Sequence, residues 1–163
     1  MDAKRKIGIV VGRFQPLHDG HIKLIRIVLG QNDFTVICIG SSQIADPLTF
    51  KERVIRVHTA LDGLGYARDR YRIIALSDIN DLPRWPTYLK SLVGLTDETE
   101  NRYYLSDNPS EDFRKYLEEA GFMLVVLERG LFSYKGPDGR HYIVNSATEI
   151  RRLHRELGKM DKI

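Results

Sequence analysis

The sequence predicts an α/β, doubly wound domain: a five-stranded parallel sheet with helices on both faces, followed by a small C-terminal hairpin and helix. Three observations predict it. Short apolar runs of strand length alternate with segments of helical period from Ile7 to Leu127. Some of these runs, Thr35-Val36-Ile37-Cys38-Ile39 above all, are apolar without a break, as in strands covered on both faces and therefore in a parallel sheet. Beyond Leu127 the alternation stops, and two short β-rich stretches flank Gly136-Pro137-Asp138-Gly139, the signature of a hairpin.

Taken in order, the strand at 7–11 precedes a helix over 22–29, the strand at 35–40 a helix over 50–61, and the strand at 72–76 a helix over 87–93. Strands at 102–105 and 123–127 enclose a helix over 110–120, which Ser110, Glu111 and Asp112 open and Gly121 closes. The hairpin strands lie at 131–134 and 140–144. Asn145 or Ser146 caps the final helix, and Glu149 stands three residues after Ser146 as in a capping box.

Composition narrows the function classes. A chain of 163 residues predicts one domain, large enough to bury about 70% of its unfolded surface. With 42% hydrophobic and 29% charged residues it is an ordinary globular chain, without repeats or low-complexity segments. The net charge of +3 is too small and scattered for a nucleic-acid footprint; it suits arginines and lysines gathered around an anionic small molecule. Cys38 is the only cysteine, which excludes an internal disulfide and a multi-cysteine metal site, and its apolar neighbours make it a core thiol. No apolar run approaches 18 residues and no signal-peptide core follows Met1, so the expectation is a cytoplasmic protein with no membrane partner.

The chemistry gathers after the first strand, in Gly12-Arg13-Phe14-Gln15-Pro16-Leu17-His18-Asp19-Gly20-His21. Strand, Gly/Pro turn and helix start bring backbone N–H groups, the positive end of a helix dipole and two imidazoles to one point, a setting for polyphosphate. His18 and His21 are three apart and can face one ligand, while Gly20, lacking a Cβ, lets a phosphate approach the backbone. No Gly-Lys-Ser/Thr follows, and Gly-x-Gly-x-x-Gly is absent, which excludes a Walker loop and the dinucleotide fingerprint. The turns Gly40-Ser41-Ser42-Gln43, Ser77-Asp78-Ile79-Asn80 and Leu105-Ser106-Asp107-Asn108 follow later strands, so all four converge on the crevice at the strands' carboxyl ends.

This string resembles the first signature of the His-x-Gly-His nucleotidylyltransferases, and in its full length that of the archaeal-type nicotinamide mononucleotide adenylyltransferases. Ser146-Ala147-Thr148-Glu149-Ile150-Arg151 resembles their second signature, Ser-x-Thr-x-x-Arg, and Pro47-Leu48-Thr49-Phe50-Lys51-Glu52-Arg53 their Pro-Phe-Thr-x-x-Glu-Arg. The resemblance runs from Ile7 to Arg152 and implies a Rossmann-like fold. It implies that His18, His21, Arg13 and Arg151 do the catalytic work, and that Gly12, Phe14, Gly20, Ser146 and Thr148 bind ATP. Ser41, Asp78, Trp85 and Asn108 would bind the mononucleotide, with Trp85 stacked on the nicotinamide ring. Arg53 is either a ligand or a structural ion pair. Two positions depart from the family: Ala45 stands where a Lys or Arg usually precedes Asp/Asn-Pro, leaving Lys51 or Arg53 to substitute, and Leu82 stands where an Asn is common.

The implied reaction transfers the adenylyl group of ATP to nicotinamide mononucleotide, giving NAD and pyrophosphate. Its attacking phosphate oxygen is already ionised, so alignment and charge stabilisation are what the protein must supply. Mg²⁺ is expected through the substrate phosphates, with no metal held by side chains. A homo-oligomer is implied by the family. Two alternatives stay open: another phosphorylated acceptor such as phosphopantetheine or a sugar or polyol phosphate, and a nucleotide-sensing module without turnover.

Overall fold

A computed structural model describes residues 3–45, 48–127, 132–144 and 147–160. The chain runs through β1 (Lys6–Gly12), α1 (Asp19–Gln31), β2 (Phe34–Ile39), α2 (Phe50–Gly63), a 3₁₀ turn (Arg68–Arg70), β3 (Tyr71–Ala75), α3 (Trp85–Val93), β4 (Glu100–Leu105), α4 (Glu111–Glu119) and β5 (Met123–Val126). The hairpin β6 (Phe132–Lys135) and β7 (His141–Val144) then leads to α5 (Ala147–Met160). The sheet order is β3-β2-β1-β4-β5 with every pair parallel, and β6 pairs with β7 antiparallel. The predicted fold class holds.

The period of two along each strand divides the core into two layers. On one face Val10, Ile37 and Ile39 pack with Ile25, Val28 and Leu29 of α1 and Val57 and Leu61 of α2. On the other Ile7, Ile9, Val36 and Cys38 pack with Leu89 and Val93 of α3 and Leu117 of α4. Burying each such aliphatic side chain contributes about 1.5–3 kcal/mol. A side chain at Gly8 would collide with Val28 and Asn32, so glycine there lets α1 lie close against β1. Cys38 is a buried free thiol whose pKa burial pushes up to about 12, against a smaller opposing pull from Arg72. Its core reading stands on that burial.

Local chemistry explains where the helices begin. Thr49 caps α2 by accepting from the Glu52 N–H (3.1 Å), and Ser110 caps α4 by accepting from the Phe113 N–H (3.2 Å). Helix α3 begins at Trp85, earlier than the predicted 87, because Pro86 falls in the first turn, where its missing N–H costs nothing. The 3₁₀ turn before β3 was not predicted. No helix among the described residues is long and apolar enough to cross a membrane.

Register brings the strand ends level. Gly12 of β1 lies beside Ile39 of β2, and Leu105 of β4 beside Val126 of β5. The strand order reverses at β1, which has β2 on one side and β4 on the other. The turn after β1 therefore opens at the switch point, where sheets of this kind hold their ligands.

Candidate active site

The turn after β1 is built around an aromatic ring. Phe14 adopts a left-handed backbone (φ 53°) and is 1% exposed, its ring folded back beneath the end of β1. A Cβ on Gly12 would lie 2.9 Å from that ring, which is why the strand ends on glycine. The same ring meets His21 edge-on, with centroids 4.8 Å apart at 88°. The Phe14 ring thus supports His21, which leaves the backbone N–H of Phe14 as the group through which the expected contact with ATP would be made.

His18 is the N-cap of α1 and His21 its third residue, and together they form a capping box without Ser, Thr or Glu. The His21 N–H donates to His18 Nδ1 and the His18 N–H donates to His21 Nδ1, each at 3.3 Å. The rings stack at 3.6 Å with an 18° tilt. A ring that accepts at Nδ1 carries its neutral-state proton on Nε2. The box therefore selects the Nε2–H tautomer for both neutral rings; His18 is the buried member of the pair, its Nε2 included, and His21 the more open one. Arg13 is exposed beside them, and Gly20 lies in the first turn of α1.

The second signature docks on the first. Arg151 donates from one terminal nitrogen to the Gln15 carbonyl (2.6 Å) and from the other to Thr148 Oγ1 (3.2 Å), while Ile150 beside it is fully buried. Gln15 is itself buried, and its side-chain oxygen accepts from the Leu48 N–H at 3.4 Å. Thr148 and Arg151 are so held at the histidine turn, 136 positions along the chain from Gln15 in the case of Arg151. Asn145 and Ser146 lie outside the described residues.

The turns after β2 and β3 are tied to each other. Ser41 Oγ donates to the Asp78 carboxylate (2.9 Å), Gln43 Nε2 donates to the same carboxylate (3.1 Å), and the Ser42 N–H donates to the Leu76 carbonyl (2.9 Å). Ser41 is buried and left-handed (φ 51°), and the exposed Asn80 is left-handed too (φ 51°). With Phe14, these are the non-glycine residues of positive φ among those described, and they follow β1, β2 and β3 in turn. Such conformations cost about 1–3 kcal/mol each and persist where surrounding contacts over-determine them.

Arg53 has neither of the roles expected for it. It is 0% exposed, and all five of its N–H groups point at backbone carbonyls, those of Thr49, Arg13, Gly40, Ser41 and Ile44, at 2.9–3.3 Å. Burial, and after it the charge of Arg13, lowers its pKa. With every donor occupied it cannot substitute for the basic residue missing at Ala45. Lys51, exposed on the first turn of α2, remains available.

Trp85 sits on the other half of the crevice. It opens α3 half-buried, meeting Tyr103 at 6.0 Å and Phe113 at 5.7 Å in edge contacts, where a Pro-broken loop was predicted. Part of the indole is therefore core. Asn108 is exposed after β4, and Leu82 is 47% exposed. Sequence reasoning missed Gln15, Gln43 and the purpose of Arg53, although Gln15 and Arg53 lie inside quoted motifs.

Residues 9–153 match the family model described as cytidylyltransferase-like. The chain is similar to a nicotinamide-nucleotide adenylyltransferase of Pyrococcus horikoshii, 34% identical over 89% of this chain and 70% of that protein. It is 45% identical to the one of Thermococcus onnurineus over 54% of this chain, and spans about half of that relative's length, 49%. A bifunctional NMN adenylyltransferase/ADP ribose pyrophosphatase of Francisella tularensis shares the fold with a TM-score of 0.70, at 22% identity over 91% of this chain and 41% of that one.

Proposed function

The chain belongs to the cytidylyltransferase-like family, and from that premise we propose that it transfers the adenylyl group of ATP to nicotinamide mononucleotide, forming NAD and releasing pyrophosphate. One observation carries the reading: Arg151 of the second signature is bonded to the turn that holds the stacked His18–His21 pair. That contact brings the two signatures together at the turn after β1 and supports one phosphate site shared between them. The names of the archaeal relatives support the choice of acceptor.

In the reaction a phosphate oxygen of the mononucleotide attacks the α-phosphorus of ATP, and the bond to the β-phosphate oxygen breaks. The electron pair leaves on pyrophosphate, and no proton has to be removed from the nucleophile. The histidine pair, with His21 Nε2–H as its more open donor, and the N-terminus of α1 stabilise the charge that grows on the phosphate oxygens. Arg151, Thr148 and Ser146 hold the departing pyrophosphate, with Arg13 beside them. These donors suit phosphate oxygens and not a metal ion, so Mg²⁺ arrives as part of the substrate MgATP. Ser41, Asp78, Trp85 and Asn108 bind the acceptor, Trp85 through the part of its ring left open.

The test is incubation with ATP, Mg²⁺ and a panel of phosphorylated acceptors while pyrophosphate and NAD are followed together. Equal amounts of both, and only with nicotinamide mononucleotide, is the expected result. Pyrophosphate release with phosphopantetheine or a sugar phosphate would reassign the acceptor, and tight ATP binding without release would make the chain a sensor.

A further inference from the structure

We propose that Arg53 is a positioning residue that sets the two substrate loops against each other, the turn after β1 and the loop after β2. The inference rests on the proposed transfer for its consequence, though not for its geometry. Arg53, Val57 and Leu61 recur at i, i+4 and i+8 and form the buried stripe of α2. At such a position an apolar side chain of similar length would pack without the desolvation penalty of a charge. The guanidinium instead brings five directed hydrogen bonds, and their acceptors are not spread at random.

One acceptor, Thr49, is the N-cap of its own helix. The other four are the carbonyls of Arg13, after β1, and of Gly40, Ser41 and Ile44, after β2. These bonds fall on the strained backbone: Arg13 immediately precedes Phe14, and Ser41 is itself left-handed. A single rigid, planar fork therefore clamps both turns at the places where each departs from relaxed geometry.

Planar trans peptides add a second consequence. When a carbonyl turns toward the guanidinium, the N–H of the following residue turns the opposite way. The bonds to the Arg13 and Gly40 carbonyls thus direct the N–H groups of Phe14 and Ser41 away from Arg53. One of these amides belongs to the triphosphate turn and the other to the acceptor loop. Without the clamp both turns lose their orientation, and the distance between the reacting phosphates is no longer set. A misplacement of about 1 Å can cost about 10²-fold in rate.

Arg53→Met and Arg53→Lys, beside wild type, test this through three readouts: amide hydrogen exchange at residues 13–14 and 40–45 without substrate, the Kd for ATP, and kcat apart from KM. For Arg53→Met the expected result is exchange at least about tenfold faster in both loops, weaker ATP binding, and a kcat lowered by about 10²-fold at saturating substrates, with Arg53→Lys between the two. Should Arg53→Met fail to fold, Arg53→Ala with added guanidinium ion takes its place, and restored loop protection and ATP binding are expected. Folded Arg53→Met with native loop protection and native kcat, or folded Arg53→Ala indifferent to guanidinium, would overturn the proposal. If wild type itself made no NAD, the proposed reaction would fall, while exchange and ATP binding would still decide the role of Arg53.

Discussion

The two ends of the sheet handle polar groups in opposite ways. Toward the amino ends, buried polar side chains bond mostly to one another and to nearby carbonyls, although Asn32 Oδ1 and Thr35 Oγ1 are buried without a partner. Asn32 donates to Tyr104 Oη (2.9 Å) and to the Val28 carbonyl (2.8 Å), Tyr104 donates to Gln31 (2.9 Å), and Asn101 is bonded to Thr99 (2.6 Å) and the Thr96 carbonyl (2.9 Å). The backbone there needs no left-handed residue outside glycine. At the carboxyl ends Phe14, Ser41 and Asn80 are left-handed, two histidines replace the usual capping residues, and an arginine is buried on carbonyls. Left-handed backbone and buried charge are concentrated at the end where the proposed site lies, and the other end relies on side-chain pairing in ordinary backbone geometry.

The largest test of this contrast is at His21. If its Nε2–H serves the transition state, His21→Ala should lower kcat by about 10²-fold or more while the ATP Kd changes little. The same change removes half of the capping box, a loss of about 1 kcal/mol in stability. His21→Gln separates the two effects, because a Gln at this position restores the acceptor for the His18 N–H. Its kcat should stay low as its melting temperature recovers. Full activity in His21→Gln at saturating substrates would show that the histidine is only a cap.

Trp85 comes next, since it belongs to both descriptions. Its edge contacts with Tyr103 and Phe113 are core packing, and its open part is available to a cationic ring. Trp85→Ala should raise the KM for the mononucleotide about tenfold, or roughly 1.4 kcal/mol, and leave the KM for ATP almost unchanged. The melting temperature should fall as well. Trp85→Phe should recover much of both. Equal loss in both substrates would make the indole entirely structural and leave the acceptor to Asp78 and Asn108.

At the amino ends the expectation reverses. Tyr104→Phe keeps the ring in its core layer and removes the hydroxyl shared by Asn32 and Gln31. Stability should fall by about 1–2 kcal/mol, measured by urea denaturation, with kcat and both KM values unchanged. An activity loss there without a stability loss would erase the distinction between the ends.

The contrast also marks what the sequence could tell. Alternating apolar runs made the strands legible, because burial on both faces leaves a mark at every position. The His18–His21 pair was legible through its spacing and its place before a helix. Its tautomer was not, since this depends on the two Nδ1 atoms facing each other's N–H. Arg53 was legible as a motif member and opaque as a clamp, because its partners are carbonyls, which every residue carries. The place of the Phe14 ring was opaque for a related reason: a left-handed turn that folds it under Gly12 is a tertiary event. At Trp85 the flanking prolines suggest a loop and hide a helix start, where Pro86 is at home.

The smallest effect is a pH dependence at the relaxed end. His58 Nδ1 and Tyr71 Oη share a 2.7 Å hydrogen bond at the start of β3. Burial, then the charge of Arg68, lowers the His58 pKa, and the carboxylate of Asp62 only partly opposes this; burial also raises the pKa of Tyr71. A histidine whose folded pKa lies below its unfolded value of about 6.5 leaves the unfolded chain binding more protons as pH falls. Its contribution is therefore fully present above about pH 6.5 and declines as the pH drops through that value toward the folded pKa. The melting temperature of wild type should fall between about pH 7.5 and pH 5.5 by more than that of His58→Gln, which cannot titrate. The other histidines are the same in both proteins, so the difference between the two curves isolates His58. Parallel curves would mean that the ring accepts its proton without cost to the fold, and the amino end would then hold no pH-sensitive contact at His58.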